Sequence, residues 1–329
     1  MQSYKEREAL PDVNRIIVGD ALDELRKMPD GIFDTCVTSP PYYGLRDYGV
    51  DGQIGLEASP EEYIDKLVDI FREIKRTLKP DGTLWIVISD SYAGSGKGAA
   101  NYPENAKKYK QGTSKGMLGA TATTKVKTPG IKEKDLIGIP WMLAFALRAD
   151  GWYLRQDIIW QKPNAMPESV RDRCTKSHEY IFMLSKCKHY YYDADAIKEP
   201  CVNGDPQSPR GSRGAKCKNA GLRKQDAINK RQYTGLNDRY SAGQKRKYRN
   251  KRDVWSVSTH GFADAHFATF PPALIEPCIL AGSRRGGTVL DPFIGSGTTA
   301  EVANRLGRNY VGIDLNPAYV DMAKKRIEK

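Results

Sequence analysis

"TVLDPFIGSGTTAEVANRLGRNYVGIDLN" occupies residues 288–316. TVLD is fit for a short buried strand and runs into a loop carrying Gly295 and Gly297. Apolar residues at helical spacing follow, and then a second apolar run, NYVGID. Strand, glycine turn, helix and strand in that order form a crossover unit of a parallel sheet. The glycines let the backbone approach a ligand closely at the carboxyl end of the first strand. Asp314 ends the second strand, about where dinucleotide-binding folds carry an acid for ribose hydroxyls. The pattern predicts a nucleoside-containing ligand.

The same grammar extends upstream. EEYIDKLVDIFREIKRTL (61–78) places Tyr63, Ile64, Leu67, Ile70, Phe71, Ile74 and Leu78 on one helical stripe, and Lys79-Pro-Asp-Gly82 breaks it. TLWIVISD (83–90) then reads as a buried strand, a second crossover unit. NRIIV (14–18) and IFDTCVTS (32–39) read as strands, with ALDELRKM (21–28) as an amphipathic helix between them. DLIGIPWMLAFALRADG (135–151) reads as a helix, and YLRQDIIWQK (153–162) with HEYIFMLSK (178–186) as an antiparallel pair at a sheet edge. FATFPPALIEPCILAG (267–282) predicts a helix entered through Pro271-Pro272, and AYVDMAKKRI a closing helix. Residues 94–134 are rich in Gly, Lys and Thr without periodicity and predict a long mobile surface loop. Their GSGKG is no P-loop, because Gly98 stands where Ser or Thr is needed.

A chain of 329 residues can bury an ample core. It has no apolar run of membrane-spanning length and no apolar signal region near residue 1, so a soluble, unsecreted, cytoplasmic protein is expected. Six scattered cysteines fit a reducing compartment. Cys187 and His189 with His178 lack a four-ligand zinc spacing, so no metal is expected. The net charge of +12 is concentrated: residues 198–252 hold 16 Lys and Arg against 4 Asp and Glu, which equals the whole excess. Tyr233, Tyr240 and Tyr248 are interleaved with those charges, as are many Gly, Asn and Gln. That mixture fits a polyanion surface that also touches bases, and nucleic acid is the favoured partner.

The strand at 32–39 ends abruptly in Ser39-Pro40-Pro41-Tyr42. Two prolines cannot continue a ladder, so the chain leaves the sheet rigidly, carrying a hydroxyl and an aromatic ring. Near the other end, D-P-F-x-G-S-G (291–297) lacks the G-x-G-x-x-G of hydride cofactors. An acid beside the glycines suits a cationic group, and S-adenosylmethionine carries an α-amino group, a sulfonium and a ribose diol. Together, T-S-P-P-Y, the later D-P-F-x-G-S-G-T-T and the basic stretch between them resemble the site-specific amino-methyltransferases of DNA. The order is that of the permuted group with the catalytic motif first. GDALDEL (19–25), KSHEYIFMLSK (176–186) and AHFATFPPALIEPCI (265–279) extend the resemblance over almost the whole chain.

The resemblance implies an α/β, Rossmann-like methyltransferase fold: a mainly parallel sheet, an antiparallel edge hairpin and a basic recognition insert. The expected division is a first catalytic part at 1–192, the target-recognition insert at 193–260 and a cofactor-binding part at 261–329. By resemblance, Ser39, Pro40, Pro41 and Tyr42 are catalytic. Asp20, Thr269, Phe270, Asp291, Pro292, Phe293, Gly295, Ser296, Gly297, Thr298 and Asp314 bind S-adenosylmethionine. Asp20 equally suits a helix N-cap, Phe270 simple core packing, and His178-Glu179 a brace for the base pocket or an ordinary strand pair.

An exocyclic base amine is a poor nucleophile, because its lone pair is delocalised into the ring. Ser39 Oγ and the Pro40 carbonyl suit its two hydrogens, the diproline fixes that geometry, and Tyr42 can stack on a base swung out of the duplex. Within the family, Ser at the first position is commoner in cytosine-N4 enzymes and Asp in adenine-N6 enzymes, so cytosine N4 is the expected target and adenine N6 the alternative. Cytosine C5 chemistry is excluded, since Pro200-Cys201 and Pro277-Cys278 lack the following glutamine, and Cys36 reads as core. An inactive DNA-binding module and an RNA or protein methyltransferase are the weaker rivals. A cognate restriction endonuclease is a possible companion.

Overall fold

The computed structural model describes residues 13–44, 50–94, 128–201, 248–259 and 270–328. The chain divides into two compact units, one formed by residues 1–193 and 252–329, the other by residues 194–251. Most of the basic insert, residues 202–247, lies outside the described residues, as do residues 95–127 of the expected mobile loop and Thr269.

The first unit is built on a sheet of eight strands. They are β1 (Arg15–Val18), β2 (Phe33–Thr38), β3 (Leu78–Ile88), β4 (Tyr153–Gln161), β5 (His178–Ser185), β8 (Val254–Ser256), β9 (Thr288–Asp291) and β10 (Asn309–Asp314). Their order across the sheet is β1-β10-β9-β2-β3-β5-β4-β8. From β1 to β3 every neighbouring pair is parallel, β5 is antiparallel to both β3 and β4, and β8 is parallel to β4. Among the described strands of this sheet, β5 alone runs against the rest. The expected hairpin is present, but β8 pairs beyond it and takes the edge. Three residues, one of them an exposed Val254, are too few to show a period in sequence. In the second unit, β6 (Glu199–Pro200) and β7 (Tyr248–Arg249) form an antiparallel ladder. The Arg249 guanidinium pairs there with Glu199 Oε1 at 2.8 Å.

Helices α1 (Ala21–Arg26), α2 (Pro60–Thr77), α3 (Ile139–Ala149), α4 (Pro272–Gly282) and α5 (Thr298–Arg305) lie between strands of the first unit, and α6 (Pro317–Ile327) follows the last strand. α2 shows why the stripe reads correctly. Ser59 caps it by accepting from the Glu62 amide at 3.2 Å, Pro60 opens it, and acids in its first turn with bases in its last complement the helix dipole. Tyr63, Ile64, Leu67, Phe71 and Ile74 are buried. Each side chain of that size stabilises by roughly 1.5–3 kcal/mol when removed from water.

Two boundaries differ from expectation. Leu78 opens β3 rather than closing α2, and Lys79-Pro-Asp-Gly82 stays inside the strand. The register against β2 shifts there, between Phe33 and Thr35, which absorbs the proline. The Lys79 ammonium also ties the segment to Asp34 at 2.7 Å. α3 begins four residues late because Gly138 is left-handed, at φ 88°, with Pro140 in the first turn. The Asp90 carboxylate accepts from the Gly138 amide at 3.0 Å and caps that end.

Candidate functional site

β2 and β9 are neighbours at the centre of the sheet, paired through Thr35 with Val289 and Cys36 with Leu290. The chain leaves β2 by way of α2 toward β3, and leaves β9 by way of α5 toward β10 on the opposite side. The strand order reverses between them, and ligands of open α/β sheets bind outside the carboxyl ends of strands at such a point. Residues 39–42 follow β2 there, and residues 292–297 follow β9.

One open cleft gathers them. Ser39, Pro40, Pro41 and Tyr42 form one part of its wall; Pro292, Phe293, Gly295, Ser296, Thr298 and Asp314 form another. Asp20 and Phe270 also line it, with residues 50 and 52–54 and the Tyr319 and Met322 side of α6. Twelve of the fifteen candidate residues thus face one space. Asp20 fills both of its candidate places: it lines the cleft while its Oδ1 accepts from the Asp23 amide at 3.0 Å, capping α1.

Asp291 and Gly297 do not line it. Asp291 is buried beneath the loop, where Oδ1 accepts from Thr38 Oγ1 at 2.6 Å and from the Phe293 amide at 3.1 Å. Its Oδ2 accepts from Thr299 Oγ1 at 2.6 Å. Burial pushes this carboxyl up to about 7, against the pull of its three donors. Its geometry is that of a buried clamp between the two motif loops. Gly297 is the left-handed residue at the start of α5, set against Ala323.

Asp314 is the part-buried acid that lines the cleft. Its Oδ2 accepts from the Gly295 amide at 3.0 Å and its Oδ1 from the Asn316 amide at 2.8 Å, so each oxygen keeps lone-pair capacity for a ligand. Burial raises its pKa above the usual carboxylate range. The loop itself is held from α6. The Arg326 guanidinium donates to Thr298 Oγ1 at 2.8 Å and Ser296 Oγ at 3.1 Å, and pairs with Glu301. On the other wall, Tyr42 Oη donates to Glu179 Oε2 at 2.8 Å and Tyr63 Oη donates to the Pro41 carbonyl at 2.7 Å. Thr38, Thr299 and Arg326 were not among the candidates, whereas Glu179, read with His178 as a brace for the base pocket or an ordinary strand pair, is the residue that holds Tyr42. Thr38 opens T-S-P-P-Y and Thr299 closes D-P-F-x-G-S-G-T-T, but the sequence reading gave neither a role.

A doubly wound sheet with a glycine loop and a strand-end acid at its switch point, beside a rigid diproline turn, is the arrangement of a nucleoside-binding α/β protein. The sequence matches the DNA methylase family of N6 and N4 methyltransferases over residues 33–325. It is 47% identical over 310 residues to the Type II methyltransferase M.Cfr9I of Citrobacter freundii, covering 94% of this chain and 86% of that protein. It is also 47% identical over 314 residues to M.SmaI of Serratia marcescens, covering 95% and 90%. The fold is similar to the cytosine-N4-specific PvuII DNA methyltransferase, with a TM-score of 0.59 at 17% identity over 94% of this chain and 85% of the other. A Thermus thermophilus chain solved with S-adenosyl-L-methionine gives a TM-score of 0.55 at 23% identity, over 96% and 93%. The chain belongs to the N6/N4 DNA methylase family, which draws its methyl group from S-adenosylmethionine.

Proposed function

We propose that the chain transfers a methyl group from S-adenosylmethionine to N4 of a cytosine swung out of double-stranded DNA. The observation that carries this is the shared cleft: the Ser39–Tyr42 turn and the glycine loop, 253 positions apart by their flanking residues Thr38 and Asp291, line one space. The bound cofactor supplies an electrophilic methyl on a sulfonium. Asp314, with free lone-pair capacity on both oxygens, accepts the ribose hydroxyls, and Asp20 stands toward the adenine edge. Gly295, Ser296 and Thr298 would form the floor, Pro292 and Phe293 its apolar side, and Phe270 would face the methionine end. Asp291 acts from beneath by fixing the loop.

Opposite them, Ser39 Oγ and the Pro40 carbonyl accept the two amine hydrogens, which draws the nitrogen toward tetrahedral geometry and aims its lone pair at the methyl. The buried Pro40 and the hydrogen bond from Tyr63 to the Pro41 carbonyl keep the turn rigid. Tyr42 stacks on the base. Extrusion is required because the amine is out of reach inside a duplex. Positioning of donor and acceptor supplies much of the acceleration. Ser39 at the first position of the motif favours cytosine.

The basic stretch at 193–260 is the proposed target-recognition region. Its Lys and Arg contact phosphates, so affinity for DNA falls steeply with salt. The Type II relatives suggest a cytoplasmic role in protecting DNA from a cognate endonuclease.

Nucleoside mass spectrometry on genomic DNA incubated with the protein and isotope-labelled S-adenosylmethionine tests the assignment. Labelled N4-methylcytosine is the expected product. N6-methyladenine would retain the mechanism and overturn the choice of base, and no labelled nucleoside would overturn the DNA substrate.

A further inference from the structure

The closing helix holds the glycine loop along one of its faces. α6 carries Tyr319, Met322, Ala323 and Arg326, whose steps of three and four residues place them side by side. Tyr319 and Met322 line the cleft, and Ala323 lies so close to Gly297 that a Cβ there would stand 2.8 Å from its side chain. Arg326 completes the row. Its side chain is 10% exposed, and its Nε pairs with the Glu301 carboxylate, which fixes the guanidinium plane. Nη1 then donates to Thr298 Oγ1 at 2.8 Å and to Ser296 Oγ at 3.1 Å, with the Ser296 carbonyl farther off at 3.5 Å.

Both of these residues line the cleft, and both are buried, Ser296 at 6% and Thr298 at 3% exposure. A guanidinium only donates, so each hydroxyl gives it a lone pair and keeps its own proton. Among the described residues neither hydroxyl passes that proton to a partner. A buried donor calls for an acceptor, and the space these residues border is the cleft. A hydroxyl that accepts from a cation is also polarised into a stronger donor. On S-adenosylmethionine the sulfonium and the amino group are cationic and the ribose is neutral. Its carboxylate is the one anionic group, and it only accepts.

We propose that Arg326 is a positioning residue that acts through Ser296 and Thr298, committing both hydroxyls to donate into the cleft and so making cofactor binding depend on the carboxylate of S-adenosylmethionine. The proposal rests on the reading of Ser296 and Thr298 as cofactor-binding residues. Arg326→Met keeps an unbranched stem on α6 and removes every donor, so nothing holds the two hydroxyl protons toward the cleft.

Calorimetric titration of the full chain with S-adenosylmethionine, and with its decarboxylated analogue, tests this. Wild type is expected to bind S-adenosylmethionine at least about tenfold more tightly than the analogue. Arg326→Met is expected to weaken S-adenosylmethionine about tenfold while the analogue stays within about twofold, so that the discrimination collapses. A wild type that binds the two ligands alike overturns the proposal, as does an Arg326→Met variant that discriminates as wild type does. An equal loss for both ligands also overturns it, because that is the mark of a loop that has merely lost support. Should Arg326→Met fail to fold, Arg326→Gln, whose amide can accept from a hydroxyl as well as donate to it, decides by the same comparison. The double variant Ser296→Ala with Thr298→Val separates the two levels. Unchanged affinity for S-adenosylmethionine there removes the assignment of the two residues themselves. A loss there confined to S-adenosylmethionine, beside wild-type discrimination in Arg326→Met, removes only the role of Arg326.

Discussion

The Thr38 hydroxyl donates to Asp291 Oδ1 at 2.6 Å, joining residues 253 positions apart. Thr38 is the last residue of β2 and Asp291 the last of β9, so this bond adds to the backbone pairing of the two strands a tie where the two cleft loops begin. Thr38→Val keeps the shape and removes a donor to a buried carboxylate. Denaturant unfolding should show a loss of about 1–3 kcal/mol. Methyl transfer should slow with it, because the two loops lose their common anchor.

Asp291 predicts a pH dependence of stability. Its carboxyl titrates at about 7 in the folded chain, against about 4 when unfolded. Between those values the native state holds a proton that the unfolded state has released. Its contribution is therefore complete below about pH 4 and is lost as pH rises through about 7, about 4 kcal/mol in all for a shift of about three pH units. Unfolding of wild type and Asp291→Asn at pH 5 and pH 8 isolates this slope: it is present in wild type and reduced in the variant. Parallel profiles for the two proteins would contradict it.

Gly297 is left-handed, at φ 83°, and a Cβ there would lie 2.8 Å from the Ala323 side chain and 2.9 Å from its Cα. Gly297→Ala should lower stability by about 1–3 kcal/mol through backbone strain and overpacking. Gly286 is equally left-handed but open, with nothing within 4 Å, and Gly286→Ala should lose less. Thermal unfolding of the two variants gives the comparison.

Asp314 should govern cofactor affinity. Two charge-assisted hydrogen bonds to a ribose diol require the ionised carboxylate, and burial has raised the pH at which it ionises. Affinity for S-adenosylmethionine is thus expected to fall as pH drops from neutral toward the acid range. Asp314→Asn should weaken binding about tenfold to a hundredfold at neutral pH and flatten that dependence. Calorimetric titration across the pH range reads both effects.

Periodicity and glycine chemistry made much of this site legible in the sequence. The α2 stripe, the β2 run and the strand-loop-helix-strand unit at 288–314 are local patterns, and each fell within a few residues of its observed bounds. The cleft membership of Ser39–Tyr42 and Gly295 followed from motif positions at strand ends. The groups that brace the cleft were hidden for a different reason. Thr38 and Thr299 meet Asp291 only once β2 and β9 pair, and Arg326 reaches Ser296 only once α6 folds back; Glu179 was read as a brace only beside an ordinary strand pair, because it meets Tyr42 across β3. Such contacts are set by sheet order, which leaves no local period. Asp291 was assigned to the ligand because an acid beside glycines suits a cation, yet its side chain turns down into three donors.

The most direct test of the shared cleft is Ser39→Ala, with S-adenosylmethionine affinity and single-turnover methyl transfer to DNA measured on the same preparation. Ser39 lines the cleft from the turn after β2, whereas Asp314 and the glycine loop line it from the ends of β10 and β9, so cofactor affinity should stay within about twofold of wild type while transfer falls by about a hundredfold or more. Transfer at the wild-type rate with affinity intact would contradict the account, because the amine would then be held by some other part of the protein.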